Sequence, residues 1–311
     1  MHWKLKSAIQ NTLSLLPSSA SYAAYYQVQR RFGGLRQVNP TINLRAGVET
    51  WKQIVEQDYD PLNKVFLEVG TGRATIVPLA YWLMGAKRVV TIDANPYVKA
   101  ELIAEHVRYI ATNRAEIEEI FGSLLDRQRF AKLLDFSQSK FDLDKFFTLC
   151  QIEYLAPGDA SITSLPANSI DFHTSFTVFE HIPPEVLKQI LQEGNRIIKD
   201  GGLFVHRIDY SDHFSHSDST ISAINFLQYS DEEWDKYAGN RYMYMNRLRH
   251  DDFIDLFKSV GHLIVEAKTY VSQRSQKLLQ NKEIVLDPQF EAKSENILSI
   301  ASSWIISRKI T

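Results

Sequence analysis

The residues best equipped for chemistry in this chain are glycines and carboxylates that follow short apolar runs. The run that begins at Val65 closes into Glu68-Val69-Gly70-Thr71-Gly72, where two residues without a Cβ let the backbone approach a ligand. Asp93 closes the next run, 23 residues after Gly70, and Ala94 follows it. An ionised carboxylate offers only acceptors, which suits the paired hydroxyls of a ribose. Asp159 follows a third run in the turn Pro157-Gly158-Asp159-Ala160, a setting that can present a carboxylate to an adenine amino group. Any one of these acids would pass as a loop carboxylate or a helix cap. Their recurrence after three successive runs points to one ligand that carries a nucleoside. A dinucleotide fingerprint would place a third glycine at position 75, where Thr75 stands, and this weakens that reading without removing it.

A second group of residues could move a proton. Histidine titrates near neutral pH, so it is the first candidate for a base that acts on a hydroxyl. His181 follows the run Ile170–Phe176 and reads either as that base or as part of the cofactor's surroundings. The stretch from His206 to His216 contains Asp209, Asp212, His213 and His216. It reads as a basic, hydrogen-bonding cluster for a hydroxylated acceptor, with His213 the preferred base beside Asp209. It also reads as a divalent metal site of Asp209, Asp212, His213 and His216 that grips a diol. The spacing matches no strict metal motif, so the metal is not favoured, and a solvated polar loop is the plain alternative. Arg247 and Arg249 present planar forks suited to an acidic acceptor, or else make surface salt bridges. His216 and Tyr242 join them on the expected acceptor side, although core packing explains the nearby aromatics equally well.

These residues need a frame to position them. Val65–Val69 is a short apolar run of the kind buried parallel strands show, and Thr75 to Met84 follows with helical periodicity. Arg88–Asp93 is a second strand, so one βαβ unit is complete within about 30 residues. Residues 96–150 read as helices inserted beyond what a crossover requires. Strands follow at Ile152–Leu155 and Ile170–Phe176, a helix at 184–199 that starts on Pro184, and a strand at Leu203–Ile208. An irregular stretch covers 209–246. A helix at 251–260 and strands near 262–269 and 297–307 come last. The reading is an α/β chain with an N-terminal helical extension, 1–60, and a ligand-binding domain, 61–311, interrupted at about 100–150 and 209–246.

Taken together, residues 68–262 resemble a class I S-adenosylmethionine (SAM)-dependent methyltransferase of the small-molecule type 11 kind. The resemblance rests on Leu67-Glu68-Val69-Gly70-Thr71-Gly72, Ile92-Asp93, Gly158-Asp159-Ala160, Ser169-Ile170-Asp171-Phe172 leading into Val178-Phe179-Glu180-His181-Ile182, and Lys199-Asp200-Gly201-Gly202. It implies a Rossmann-like three-layer sandwich whose seven-stranded sheet is mostly parallel with the last strand antiparallel. It implies SAM as cofactor and S-adenosylhomocysteine as product. It also implies that Glu68, Gly70 and Gly72 meet the methionine part, Asp93 the ribose, and Asp159 with Ala160 the adenine, with Thr71, Ala94 and Phe176 also at the cofactor. A looser similarity of the Asp-His-Phe and Asn-Arg-Leu-Arg segments to methyltransferases of bacterial surface-glycan assembly implies O-methylation of a sugar in polysaccharide biosynthesis. A methyltransferase for a natural product, lipid or amine, and a SAM-binding scaffold without catalysis, are the rival readings.

Bulk composition sets the outer bounds. The chain has 311 residues, 44% hydrophobic and 23% charged, as an ordinary folded protein does. A net charge of -2 with scattered Lys and Arg gives no electrostatic footprint for nucleic acid. The single Cys150 excludes an intramolecular disulfide and a multi-cysteine zinc site, and a reducing cytoplasm is the expected location. Leu5, Ile9, Leu13 and Leu16 recur at helical spacing up to Pro17. That amphipathic helix is expected to pack on the main domain or on a second copy in a homodimer. The sharper alternative sets Trp3, Lys4 and Lys6 against the inner membrane surface.

Overall fold

Continuous apolar runs become central strands here because both faces of the sheet are covered by helices. The computed structural model describes residues 1–36 and 38–310. Gln37, in the expected extension, and Thr311, at the end of the expected ligand-binding domain, lie outside the described residues. Helices α1 (Trp3–Ser14), α2 (Ser18–Phe32) and α3 (Thr41–Val55) come first. Then β1 (Val65–Val69), α4 (Ile76–Leu83) and β2 (Arg88–Ile92) form the first βαβ unit, followed by α5 (Ala100–Thr112), α6 (Arg114–Phe121), α7 (Arg127–Phe136) and α8 (Leu143–Cys150). After these come β3 (Ile152–Leu155), β4 (Ile170–Phe176), α9 (Pro184–Ile197), β5 (Ile198–Asp209), α10 (Asp231–Ala238) and α11 (His250–Ser259). The chain continues with β6 (His262–Val271), α12 (Gln273–Gln280), α13 (Pro288–Glu291), α14 (Glu295–Ser299) and β7 (Ile300–Lys309).

The sheet order is β3-β2-β1-β4-β5-β7-β6. Strands β1 to β5 pair in parallel, and β7 runs antiparallel to both β5 and β6. This is the doubly wound α/β arrangement, and its order reverses between β1 and β4, where such sheets open a ligand crevice at their carboxyl ends. One face is packed by α3, α4 and the inserted α5–α8, with Trp51 stacked on Phe66 at 5.6 Å and Cys150 buried among apolar neighbours. The other face is packed by α9 and α11 through Leu187, Ile190, Leu191, Phe253 and Phe257.

Three local expectations are revised. The stretch 209–246 is not wholly irregular: Ser230 and Glu233 form a reciprocal capping box that starts α10, and Trp234 anchors the helix inward. Strand β5 begins at Ile198 rather than Leu203, because Ile198 already pairs with Ile170 on β4, and the register shifts before Leu203 pairs with Phe172. Helix α1 is rotated relative to its apolar stripe. Trp3, Ser7 and Gln10 face the protein, while Leu5 and Ile9 face out, and Leu16, just past the helix end, is exposed as well. Trp3 sits in a third cluster with Phe214, Phe226 and Trp234, so it is not available to a membrane.

Candidate active site

The glycine loop at the end of β1 is held in a strained but well-anchored form. Gly70 has φ 89° and Gly72 φ 67°, a region that side chains with a Cβ rarely adopt. A Cβ at Gly70 would come within 2.4 Å of Val178, so only glycine lets β1 and the loop after β4 close together. Thr71 is pinned from below, its hydroxyl 2.6 Å from that of Thr91 on β2. Asp93 then locks the loop from the side. Its Oδ2 accepts the Gly72 N–H at 2.9 Å and its Oδ1 accepts the Asn95 N–H at 2.9 Å. Each of these oxygens keeps a second lone pair for a ligand.

Both carboxylates of this corner are desolvated. Burial pushes Glu68 well above the usual carboxylate range, with a long hydrogen bond from Thr91 acting against it and the charge of Asp93 adding to it. Burial also raises Asp93, offset in part by the N–H donors of Asn95, Gly72 and Thr71. A buried acid without a cationic partner is disfavoured as an anion, and a bound ammonium would reverse that.

Two clefts open at this end of the sheet. One, of about 750 Å³, is walled by Gly70, Asp93, Ala94, Asp159, Ala160 and Ile182 among others. The other, of about 660 Å³, is walled by Glu68, Thr71, Gly72, Arg73, Phe176 and the roof residues Asn39 and Asn43. Gly70, Asp93, Tyr97, Val178 and His181 line both, so the two form one groove. All nine residues expected to meet the cofactor line one cleft or the other. Asp159 is fixed by an Asx turn, its Oδ1 accepting the Ser161 N–H at 2.8 Å and the Ser161 hydroxyl at 2.6 Å. The volumes lie within the range of about 300–1,000 Å³ common for small-molecule sites. The left-handed glycines, the two desolvated acids and the groove together fit SAM.

The acceptor-side residues are less uniformly placed. His181 alone among them lines the two clefts. Its Nδ1 is 2.8 Å from the Tyr244 carbonyl oxygen, and a carbonyl only accepts. Nδ1 therefore carries the proton and Nε2 carries the lone pair. Burial, reinforced by neighbouring His213, lowers His181 to about 4, so the ring is neutral at physiological pH. His213 stands behind it, with ring centroids 4.8 Å apart and Nε2 3.5 Å from Asp209 Oδ2. Burial pushes Asp209 upward, but His213 and Ser211 outweigh it and hold the carboxyl low. His216 is half-exposed, and its Nε2 lies 2.9 Å from the Ser211 hydroxyl.

Several expectations on this side are corrected. Asp212 does not join the histidines. It is fully buried, accepts from the Phe214 N–H and the Asn225 amide at 2.8 Å each, and is pushed up to about 6 by burial. The groups that do converge are Asp209, His213 and His216, and separately Glu180, His181 and His213. Neither arginine is free for an acidic acceptor. Arg247 is buried, donates to the carbonyls of Phe226 and Tyr229, and pairs with Asp231. Arg249 is fully buried and donates to the carbonyls of Tyr210, Leu298 and Ile300 at 2.6, 2.9 and 2.6 Å. It ties the end of β5 to the start of β7. Arg249→Met is accordingly expected to cost about 3 kcal/mol or more, because three interior carbonyls lose their donor, and chemical denaturation would measure it. Tyr242 stacks on Tyr25 with centroids 4.1 Å apart and shares a hydrogen bond with Ser21, outside the groove.

Sequence reasoning missed the roof. Gly34, Leu35, Val38, Asn39, Ile42 and Asn43 line the second cleft together with the glycine loop, and Tyr97 lines both clefts. Tyr22 meets Tyr97 edge-on at 4.8 Å, and the Arg73 guanidinium lies over Tyr25 and Tyr26 at 5.5 and 5.7 Å. Tyr97 could have been found by following the loop beyond Asp93. The roof could not, since its contacts, such as Tyr25 with Arg73 and Tyr22 with Tyr97, join segments far apart in sequence.

Residues 130–206 match the family described as a methyltransferase domain. That span, about a quarter of the chain, holds β3, β4, Asp159 and His181 but not the glycine loop or Asp93. No curated protein matches the chain. Among similar solved structures, an S-adenosylmethionine-dependent methyltransferase from Mesorhizobium loti is 12% identical, with 86% of this chain and 100% of that one covered at a TM-score of 0.44. A SAM-dependent methyltransferase from Methanosarcina mazei is 14% identical, with 82% and 97% covered at 0.45. Geranyl diphosphate C-methyltransferase from Streptomyces coelicolor, in complex with Mg2+, geranyl diphosphate and S-adenosyl-L-homocysteine, is 10% identical, with 85% and 79% covered at 0.47. At these identities and scores, the three structures carry no argument about the acceptor or the reaction of this chain.

Proposed function

We propose that the chain is a class I SAM-dependent methyltransferase that O-methylates a hydroxyl of a sugar or glycan precursor with a histidine as proton acceptor. The observation that carries the proposal is the placement of His181. Of the histidines that the sequence singles out it alone lines the groove, it is neutral at physiological pH, and its free Nε2 is fixed by the Tyr244 carbonyl. When bound, SAM supplies a methyl group on a positively charged sulfur. Asp93 would hold the ribose, Asp159 with Ala160 the adenine, and Glu68 with the glycine loop the methionine part. Glu68 gains in this arrangement, since the cofactor's ammonium would offset the burial that disfavours its anion.

The chain's own task is then to orient the acceptor and take its proton. Holding two reactants in line removes much of the entropic barrier to a displacement. His181 accepts the hydroxyl proton, and the Asp209 carboxylate nearby favours the resulting positive ring, against burial and His213. A hydroxylated acceptor suits the second cleft, whose walls offer Asn39, Asn43, Thr177 and Arg73 beside the aromatic Tyr97. Hydrogen-bonding groups with one aromatic face are what a sugar ring needs. Transfer of labelled methyl from SAM into nucleotide-sugar and glycan fractions tests the proposal, with and without chelator. Label in a sugar fraction that survives chelation is expected. Label confined to amine or lipid fractions would overturn the acceptor class, and loss of transfer on chelation would overturn the histidine base.

A further inference from the structure

Helix α1 buries its polar-looking face and leaves its aliphatic stripe in water. Trp3, Ser7 and Gln10 are 4%, 2% and 2% exposed, whereas Leu5, Ile9 and Leu16 are 56%, 37% and 42% exposed. Phe32, at the end of α2, is 80% exposed and shares a shallow groove with Ile9 and Val28. Each large aliphatic or aromatic side chain left in water forgoes about 1.5–3 kcal/mol of burial. Scattered exposed residues need no explanation, but a contiguous set on two neighbouring helices marks an interaction surface.

Charge identifies what covers it. Residues 1–48 contain Lys4, Lys6, Arg30, Arg31, Arg36 and Arg45 and no Asp or Glu. Among the described residues, Arg30 is the member of this set that is ion-paired, to Glu105. Lys4, Arg31 and Arg36 are exposed. The acidic helix α10 meets α1 on its inward side, where its Tyr237 and Lys236 carbonyls accept from Ser7 and Asn11, and so does not neutralise the outer face. A two-fold contact between copies would set this basic face against itself, which like charges oppose. An anionic bilayer opposes nothing and takes up both the aliphatic stripe and the basic rim. No helix among the described residues is long and apolar enough to cross a membrane, so the contact is peripheral.

We propose that the outward faces of α1 and α2 form a peripheral binding surface for anionic phospholipid membranes, with Leu5, Ile9 and Phe32 in the interfacial layer and Lys4, Arg31 and Arg36 against the headgroups. This goes beyond the proposed reaction and holds whatever the acceptor is. It places the groove at the bilayer, because the segment that follows α2 roofs the second cleft.

Co-sedimentation of the full chain with sucrose-loaded vesicles tests it. Binding is expected to vesicles of phosphatidylcholine containing one-third phosphatidylglycerol, to weaken at high salt, and to be much weaker to phosphatidylcholine alone. The double variant Leu5→Glu/Ile9→Glu is expected to bind the anionic vesicles at least about tenfold more weakly. Its SAM affinity should equal that of the parent, which shows that the fold and the cofactor site are intact. Absence of vesicle binding by the parent, or equal binding by parent and variant, overturns the proposal. So does a concentration-dependent dimer that the variant abolishes while vesicle binding is absent. None of these readouts depends on methyl transfer, so a failure here is distinct from a failure of the proposed reaction.

Discussion

Asp93→Ala is expected to raise the dissociation constant for SAM by on the order of 10²–10⁴. Hydrogen bonds to a charged group are each worth about 1.5–3 kcal/mol, and this carboxylate can offer one to each ribose hydroxyl. The same side chain accepts the N–H groups of Gly72 and Asn95, so its removal also frees the glycine loop that the cofactor must meet. Asp93→Asn separates the two effects. The amide oxygen can still accept from one backbone N–H, but the charge is gone, and an intermediate loss of about tenfold to a hundredfold is expected. Isothermal titration calorimetry on both variants, with circular dichroism to verify folding, measures the series. An Asp93→Ala protein that is folded and binds SAM as the parent does would mean that the cofactor lies elsewhere.

The cofactor end was legible because its information is local. Each contact residue sits within a few positions of a strand end, and buried parallel strands announce themselves as unbroken apolar runs. Val65–Val69, Ile152–Leu155 and Ile170–Phe176 are therefore legible at their observed limits, and Glu68 within β1, Asp93 after β2 and Asp159 after β3 all line the groove. The acceptor end depends on contacts that no short window contains. Arg249 looks like a binding arginine until Leu298 and Ile300, some 50 residues later, present their carbonyls to it. The apolar stripe of α1 was visible, but periodicity gives only a stripe and not the side on which the protein lies. The Trp3 indole decided that, through Phe214 and Tyr237 more than 200 residues away. Helices α12 to α14 carry weak patterns and short spans, and nothing in the sequence reading anticipated them between β6 and β7.

A consequence follows for the chemistry. In the proposed reading the ends of β1 to β4 supply the cofactor floor, while the acceptor wall is assembled from distant pieces: Val38, Asn39, Ile42 and Asn43, the loop after β2 and the end of β4. His181 belongs to both, since it leaves β4 beside Val178, which closes over Gly70, and its ring is fixed by Tyr244 from the 239–249 segment. A change in the acceptor wall can therefore alter specificity without disturbing Glu68 or Asp93. The floor and the wall meet at one side chain.

For that reason His181→Ala is expected to lower kcat by on the order of 10²–10⁴, the usual worth of a positioned general base, while SAM affinity stays within a few-fold of the parent. The imidazole rather than its charge is what matters, and the pH profile distinguishes the two. A histidine lowered to about 4 is already neutral at pH 7, so protonation removes the base only as pH falls towards 4. The parent should therefore keep its kcat/KM level from pH 8 down to about 5 and lose it below, rather than across the ordinary histidine range near 6.5. His213→Ala should cost less than His181→Ala and move the acid limb upward, because His213 is one of the causes that lowers His181. An acid limb at 6–7 in the parent would assign the base to a group other than His181. A His181→Ala variant that turns over at the parental rate would remove His181 as the base and leave His106, which also lines the second cleft, or orientation alone to drive the transfer.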